Sequence, residues 1–180
     1  MGRIKKDNRG YSLVELIIVV AIIAVVATTA VLSIGLIFSA NAKTCANDIM
    51  SAISECKITT MSYGRGNVRL LIYRGSNGNI YSELQTRSKA DASWEDYGDG
   101  PESIGARKCS ITDGAGNELP QKAGDNLPTQ DSEAWAIYYD RNSGSFRSET
   151  TVSEFHIEGG SKHYRIELQT LTGKAVLEAL

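Results

Sequence analysis

"KKDNRGYSLVELIIVVAIIAVVATTAVLSIG", Lys5 to Gly35, sets a basic start and a glycine ahead of a long apolar run broken by a single acid, Glu15. Arg3, Lys5, Lys6 and Arg9 against Asp7 leave the first ten residues at +3, and the other 170 residues carry 15 Lys/Arg against 20 Asp/Glu. A mildly acidic body gives no electrostatic reason to bind nucleic acid. From Leu16 to Ala42 there are 27 residues without Asp, Glu, Lys or Arg. As a helix they would extend ~40 Å at ~1.5 Å per residue, more than the ~30 Å of a bilayer core. With basic residues before the run and only Lys43 soon after it, the N-terminus is expected inside and the rest outside the cytoplasm.

Three readings of this segment compete. A secretory signal has an apolar region of ~7–15 residues followed by a small-residue cleavage site. "SANAK" (Ser39–Lys43) imitates such a site, but the apolar run is too long. A plain signal anchor fits the length. Neither needs Glu15, and an acid costs ~2.5–3.5 kcal/mol at mid-bilayer. The bland account of Glu15 is a headgroup position favoured by the helix N-terminus.

The third reading uses every feature. "RGYSLVELIIVV" resembles the processing site and helix start of type IV pilin-like proteins, the pilins and the pseudopilins of type II secretion. The resemblance implies cleavage by a prepilin peptidase after Gly10 and N-methylation of the new terminus, Tyr11. It also implies that Glu15 forms an assembly charge pair with the Tyr11 ammonium of a neighbouring subunit. A paired charge tolerates an apolar setting that a lone one does not. Two departures stand out: Tyr11 replaces the commoner Phe, and residues 11–60 lack the proline that kinks many family helices.

Helical spacing continues beyond the apolar run. Cys45, Ile49, Ile53 and Cys56 recur at three- and four-residue steps, which predicts one helix over 11–63. Beyond it the pattern becomes antiparallel β. "NVRLLIYRGSNGNIYSELQTR" (Asn67–Arg87) is a hairpin turning at Asn77-Gly78, and Ala134–Thr150 suggests a second around Asn142–Gly144. Lys162–Glu178 suggests a third, with Tyr164, Ile166 and Leu168 buried and Arg165 and Glu167 wet. Between them, 88–133 holds all three prolines, and within it 90–132 has nine acids against three bases. Such a segment reads as variable loop.

The expected class is therefore α+β: a long N-terminal helix packed on an antiparallel head, the fold the resemblance implies. The divisions are leader 1–10, helix 11–63 with a membrane and polymerisation segment at about 14–38, and head 64–180.

Other chemistry is thin. Cys45 and Cys56 lie ~16 Å apart along a helix, beyond the ~7 Å limit of a disulfide, so at most one can pair with Cys109. The candidate pair is Cys56 with Cys109, against the alternative that both helical cysteines are small apolar stripe residues. His156 and His163 flank "IEGGSK" and could face each other across a hairpin. Asp96, Asp99, Asp113 and Glu118 are conceivable calcium ligands, but "DGAGNE" lacks the alternating oxygens of a calcium loop, and a solvated acidic loop is the simpler account. No metal, cofactor or catalytic residue is assigned, and no enzyme is expected.

The expected function is a structural subunit of a pilus or pseudopilus. Its expected partners are other such subunits, a prepilin peptidase, an assembly ATPase with its membrane platform, and lipid before assembly. It would sit as a single-pass protein of the cytoplasmic membrane, then in an extracellular or periplasmic filament. The alternative is a membrane-anchored extracytoplasmic binding module that does not polymerise.

Overall fold

The structure, a computed structural model, describes residues 12–63, 67–89, 93–105, 109–122 and 133–180, except the side chains of 30–34. Gly10 and Tyr11, the expected cleavage and methylation positions, lie outside the described residues. The chain divides into two compact units, Met1–Leu36 and Ile37–Leu180.

One helix, α1, covers Leu13–Ser62 (50 residues). No proline interrupts it, and Gly35 is its one glycine. The second unit adds strands β1 (Asn67–Arg74), β2 (Ile80–Arg87), β3 (Glu95–Asp96), β4 (Glu102–Gly105) and β5 (Ser110–Asp113), then β6 (Trp135–Tyr138), β7 (Glu154–Gly159), β8 (Lys162–Gln169) and β9 (Lys174–Ala179). They form two antiparallel sheets, ordered β3-β2-β1-β6 with β4 also on β2, and β5-β7-β8-β9. The class is α+β, with a helix on antiparallel sheets.

The expected helical stripe is the centre of the core. Cys45, Ile49, Ile53 and Cys56 are all buried, and Ala42 and Ala46 extend the stripe toward the N-terminus. They share one cluster with Val68, Leu70 and Ile72 of β1, Trp135 and Ile137 of β6, and Phe155, Ile157, Ile166 and Leu168 of the second sheet. Alternation along β1 sends Val68, Leu70 and Ile72 to one face and Leu71 and Tyr73 to the other. That other face carries a second cluster with Ala134, Ala136 and Tyr138. Both faces of β1 are thus buried.

The small residues at the N-terminal end of the stripe let the backbones close in. A β-carbon at Gly159 would meet the Ala42 side chain and the Phe38 carbonyl, and one at Gly105 would stand 2.8 Å from Ile80 and 2.9 Å from Cys45. The Ser161 N–H donates to the Ser39 hydroxyl at 3.3 Å. The head therefore begins at Ile37, and residues 38–42 belong to its packing. A head boundary at 64 cuts off the helix that fills the core.

The first hairpin has the expected form: β1 pairs β2 in continuous register from Asn67↔Arg87 to Arg74↔Ile80, with Gly78 at φ +83° in the turn. The expected hairpin over Ala134–Thr150 is only half present. Its first arm is β6, but its second makes one bridge, Tyr139↔Phe146, and then no strand. Instead Thr150 and Thr151 cover the β6 edge: the Ala136 N–H donates to the Thr151 hydroxyl at 2.8 Å, and the Tyr138 N–H to the Thr150 hydroxyl at 3.1 Å. Threonine hydroxyls compete with backbone ladder bonds in this way. The segment 88–133 is also not plain loop, since β3, β4 and β5 lie in it.

Two turns lock the sheets together against α1. The Lys57 ammonium donates to the Gly173 carbonyl at 2.9 Å, and the Phe146 N–H to the Thr170 carbonyl at 3.1 Å. Gly173 sits at φ +59°, and a β-carbon there would overlap the Gly144 carbonyl oxygen. Gly116 also has positive φ, +85°, but open space around it. Gly116→Ala should therefore cost roughly 1–2 kcal/mol of backbone strain alone. Gly173→Ala adds a backbone clash and should lower the thermal midpoint of a fragment beginning at Ile37 at least twice as much. Equal shifts for the two variants would contradict this packing.

Candidate functional site

The first candidate site is the start of α1. Ser12 is the N-cap: its hydroxyl accepts from the Glu15 N–H at 3.1 Å, while its carbonyl accepts from the Leu16 N–H at 3.1 Å. Ser12-Leu13-Val14-Glu15 has the S-x-x-E spacing of a capping box, in which the N3 acid faces back toward the N-cap backbone. Glu15 thus has a local reason to be present, and its carboxylate is solvent-exposed. The acid also stands at the positive end of the helix dipole. The spacing is readable in the sequence, where Glu15 reads as a headgroup acid at the helix N-terminus or as an assembly partner, and not as part of a cap.

From Leu13 to Val26 the helix exposes apolar side chains on every face. Leu13 is 74% exposed and Val26 60%, and Leu16, Ile17, Ile18, Val20, Ile22, Ile23 and Val25 are exposed as well. Each such side chain gains about 1.5–3 kcal/mol on full burial, so this surface calls for an apolar environment. The threonines in it are satisfied within the helix: the Thr28 hydroxyl donates to the Ala24 carbonyl at 2.8 Å and the Thr29 hydroxyl to Val26 at 2.9 Å. Among the described residues no helix is long and apolar enough to cross a membrane. The expected segment 14–38 includes 30–34, whose side chains are not described, and the described run from Leu13 stops at Thr29, short of the ~20 residues of a span.

The cysteines are all buried thiols. Cys56 lies against the Ile137 carbonyl, with Sγ 4.0 Å from the oxygen, and burial pushes its thiol up to about 12. Cys109, just before β5, places Sγ 3.7 Å from the Glu158 carbonyl and faces Cys45 rather than Cys56. Eleven residues of helix separate Cys45 from Cys56, ~16 Å, so the expected pairing of Cys56 with Cys109 is not the one the fold brings together.

The histidines do not face each other either. In the β7–β8 register His156 stands opposite Arg165, and His163 opposite Glu158. Each contacts a glutamate: His156 Nε2 lies 3.1 Å from Glu154 and His163 Nδ1 3.4 Å from Glu158. With Arg165 bridging Glu154, Glu167 and Glu178 at 3.2–3.6 Å, they make a partly solvated charge ladder on the outer face of the second sheet.

The four acids considered for calcium are dispersed. Asp96 pairs with Gln85 across β3–β2, Asp99 lies in the bend before β4, and Glu118 bridges to Thr112. The Asp113 carboxylate accepts from the Ala115 and Asn117 N–H groups and the Asn117 amide at 2.8–2.9 Å, which holds its carboxyl below the usual range. It closes its own turn. Among the described residues no group of three His, Cys, Asp or Glu could hold a metal.

A buried polar network lies on the outer face of β1 and β2. The Arg69 guanidinium donates to the Gln85 carbonyl oxygen at 2.9 and 2.7 Å, the Gln85 amide donates to Glu83, and the Tyr73 hydroxyl donates to Glu83 at 3.0 Å. Trp94 lies against the guanidiniums of Arg69 and Arg87, 4.3 and 4.5 Å from its ring centre. Burial, then the neighbouring Asp96 carboxyl, raises the Glu83 pKa, and burial likewise raises that of Tyr73. The network bonds to itself, which marks it as structural.

Comparison with known proteins agrees with the N-terminal reading. Residues 5–31 match the family model for the prokaryotic N-terminal methylation motif. No curated protein and no solved structure matches the chain. The chain thus carries the prepilin leader signature of type IV pilins and pseudopilins, confined to its N-terminal segment. The motif is that of pilin-like subunits, and it implies membrane anchoring and processing by a prepilin peptidase.

Glu83 gives a pH prediction. Its folded pKa is raised, so its contribution to stability is full below the unfolded carboxylate value and is lost as pH rises through the folded one. Glu83→Gln keeps the shape and removes the charge. Its stability relative to wild type should improve as pH is raised from about 4 to 7. Urea titrations at both pH values measure this, and a mutant that loses ground toward neutral pH would contradict it.

Proposed function

We propose that the chain is a structural subunit of a type IV pilus or related pseudopilus, cut after Gly10 and assembled through its N-terminal helix. The observation that carries this reading is the methylation motif over 5–31 leading directly into a helix whose apolar residues are exposed on all sides. Before assembly lipid covers that surface, and in the filament neighbouring subunits replace the lipid. The N-terminus faces the cytoplasm and the head lies outside it. The subunit needs no catalytic residues of its own: a prepilin peptidase cuts it, and an assembly ATPase and membrane platform drive its incorporation.

Cleavage would free an ammonium at Tyr11, four residues before Glu15 in the chain. In the filament the Glu15 carboxylate neutralises the ammonium of an adjacent subunit and sets its register. Removing one member of a buried pair strands the other, at about 3–5 kcal/mol.

The capping geometry makes a sharper test possible than loss of the acid alone. Glutamine serves a capping box as glutamate does, but carries no charge. Glu15→Gln and Glu15→Leu should both reach the membrane at wild-type levels in the native host, and both should lose at least tenfold in filament incorporation. Normal incorporation of Glu15→Gln would reject the charge pair and leave Glu15 as a helix cap. Normal incorporation of both variants would leave the acid without a role in assembly, and absence of the wild-type chain itself from filaments would favour the anchored, non-polymerising module.

A further inference from the structure

We propose that Cys45 and Cys109 form an intrachain disulfide that ties α1 to the crossing between the two sheets, leaving Cys56 as the one free thiol. It rests on the reading that places the head outside the cytoplasm, where disulfides persist.

Four contacts converge on this pair. Cys45 is fully buried on the stripe, one turn beyond Ala42, with Sγ held against the position a Gly105 β-carbon would occupy, 2.9 Å away. Gly105 ends β4 of the first sheet, and Cys109 stands just before β5 of the second. Cys109 is fixed from both sides: the Arg74 guanidinium donates to its carbonyl at 2.9 Å, and its Sγ lies 3.7 Å from the Glu158 carbonyl. Next to Glu158, Gly159 abuts Ala42 and Phe38, so the β7 end is itself pressed against α1 beside Cys45. The two thiols interact directly, and they belong to the same core cluster.

The environment makes the pair asymmetric. The hydrogen bond from Cys45, with help from Arg74, lowers the Cys109 pKa, while contact with Cys109 and burial raise that of Cys45. While the head is still closing either thiol can start the exchange, and the route through Cys109 stands for both. The oxidant is a dithiol-disulfide protein or a small-molecule disulfide. The Cys109 thiolate attacks one of its sulfurs and expels the other as a thiolate, forming a mixed disulfide. That thiolate takes the Cys45 proton, and the Cys45 sulfur attacks the Cys109 sulfur and releases the second thiol. Two protein thiols are oxidised, and one disulfide is reduced to two thiols. Because Cys45 and Cys109 are 0% and 2% exposed, the bond forms while the head is closing and is shielded afterwards.

The test uses the full chain in two arms. In the first, native membranes are quenched in acid, denatured, alkylated with a maleimide, digested and analysed by tandem mass spectrometry without reduction. In the second, the purified full chain is reduced, unfolded and refolded in detergent with reduced and oxidised glutathione, then treated in the same way. One alkylated thiol per chain, at Cys56, with a Cys45–Cys109 linked peptide is the expected result in both arms. Cys56→Ser should keep the linked peptide, and Cys109→Ser should leave both Cys45 and Cys56 alkylated. Three alkylated thiols after refolding, or a linked peptide containing Cys56, would overturn the pairing. A link that forms on refolding but is missing from native membranes would uphold the pairing and reject the extracytoplasmic placement of the head.

Discussion

Burial of one helical stripe against two sheets is the interaction on which the head depends. Ala42, Cys45, Ala46, Ile49, Ile53 and Cys56 supply its apolar side, and neither sheet has another partner of that size among the described residues. The graded size of the stripe matters. Where the backbones come closest, at Gly105 and Gly159, the helix offers alanines and a cysteine, and isoleucines follow where there is room. At the far end Lys57 holds the turn at Gly173, which in turn packs on the turn at Gly144. The stripe, the two glycines and the paired turns form one set of constraints, so a change at any of them is felt across both sheets.

The same helix has a second stretch with the opposite character. Along the stripe one face is apolar and buried. Near the N-terminus every face is apolar and exposed. A surface of that kind is expensive in water and useful only where lipid or another apolar helix covers it. The Glu15 carboxylate at its start, beside the Ser12 cap, is the charged group there among the described residues. The methylation motif over 5–31 bears on its partner, because in the proposed maturation cleavage after Gly10 would place a new ammonium at Tyr11, four residues before this acid.

Much of this was readable from residues alone. The spacing of Cys45, Ile49, Ile53 and Cys56 gives the buried stripe, Asn77-Gly78 the first turn, and the alternation at Ile166 and Leu168 the inner face of β8. The failures have physical causes. Arg69, Glu83 and Gln85 alternate with apolar residues as a wet strand face would, yet they are buried, because β1 packs on both sides and the polar groups bond to one another. The second arm of the Ala134–Thr150 hairpin is lost to threonine hydroxyls that occupy the β6 edge. Sequence spacing shows that Cys45 and Cys56 cannot both reach Cys109. Which of them does depends on how a helix meets two sheets across 64 residues of chain, and no local pattern encodes that.

The central claim is that the chain matures by losing its first ten residues and then assembles through what remains of the helix. Intact-mass and tandem mass spectrometry of the protein isolated from native membranes and sheared surface material tests this most directly. The account predicts a chain that begins at Tyr11 and carries one methyl group on its amine. A chain still beginning at Met1, or one beginning at Lys43 after cleavage behind Ala42, would contradict it.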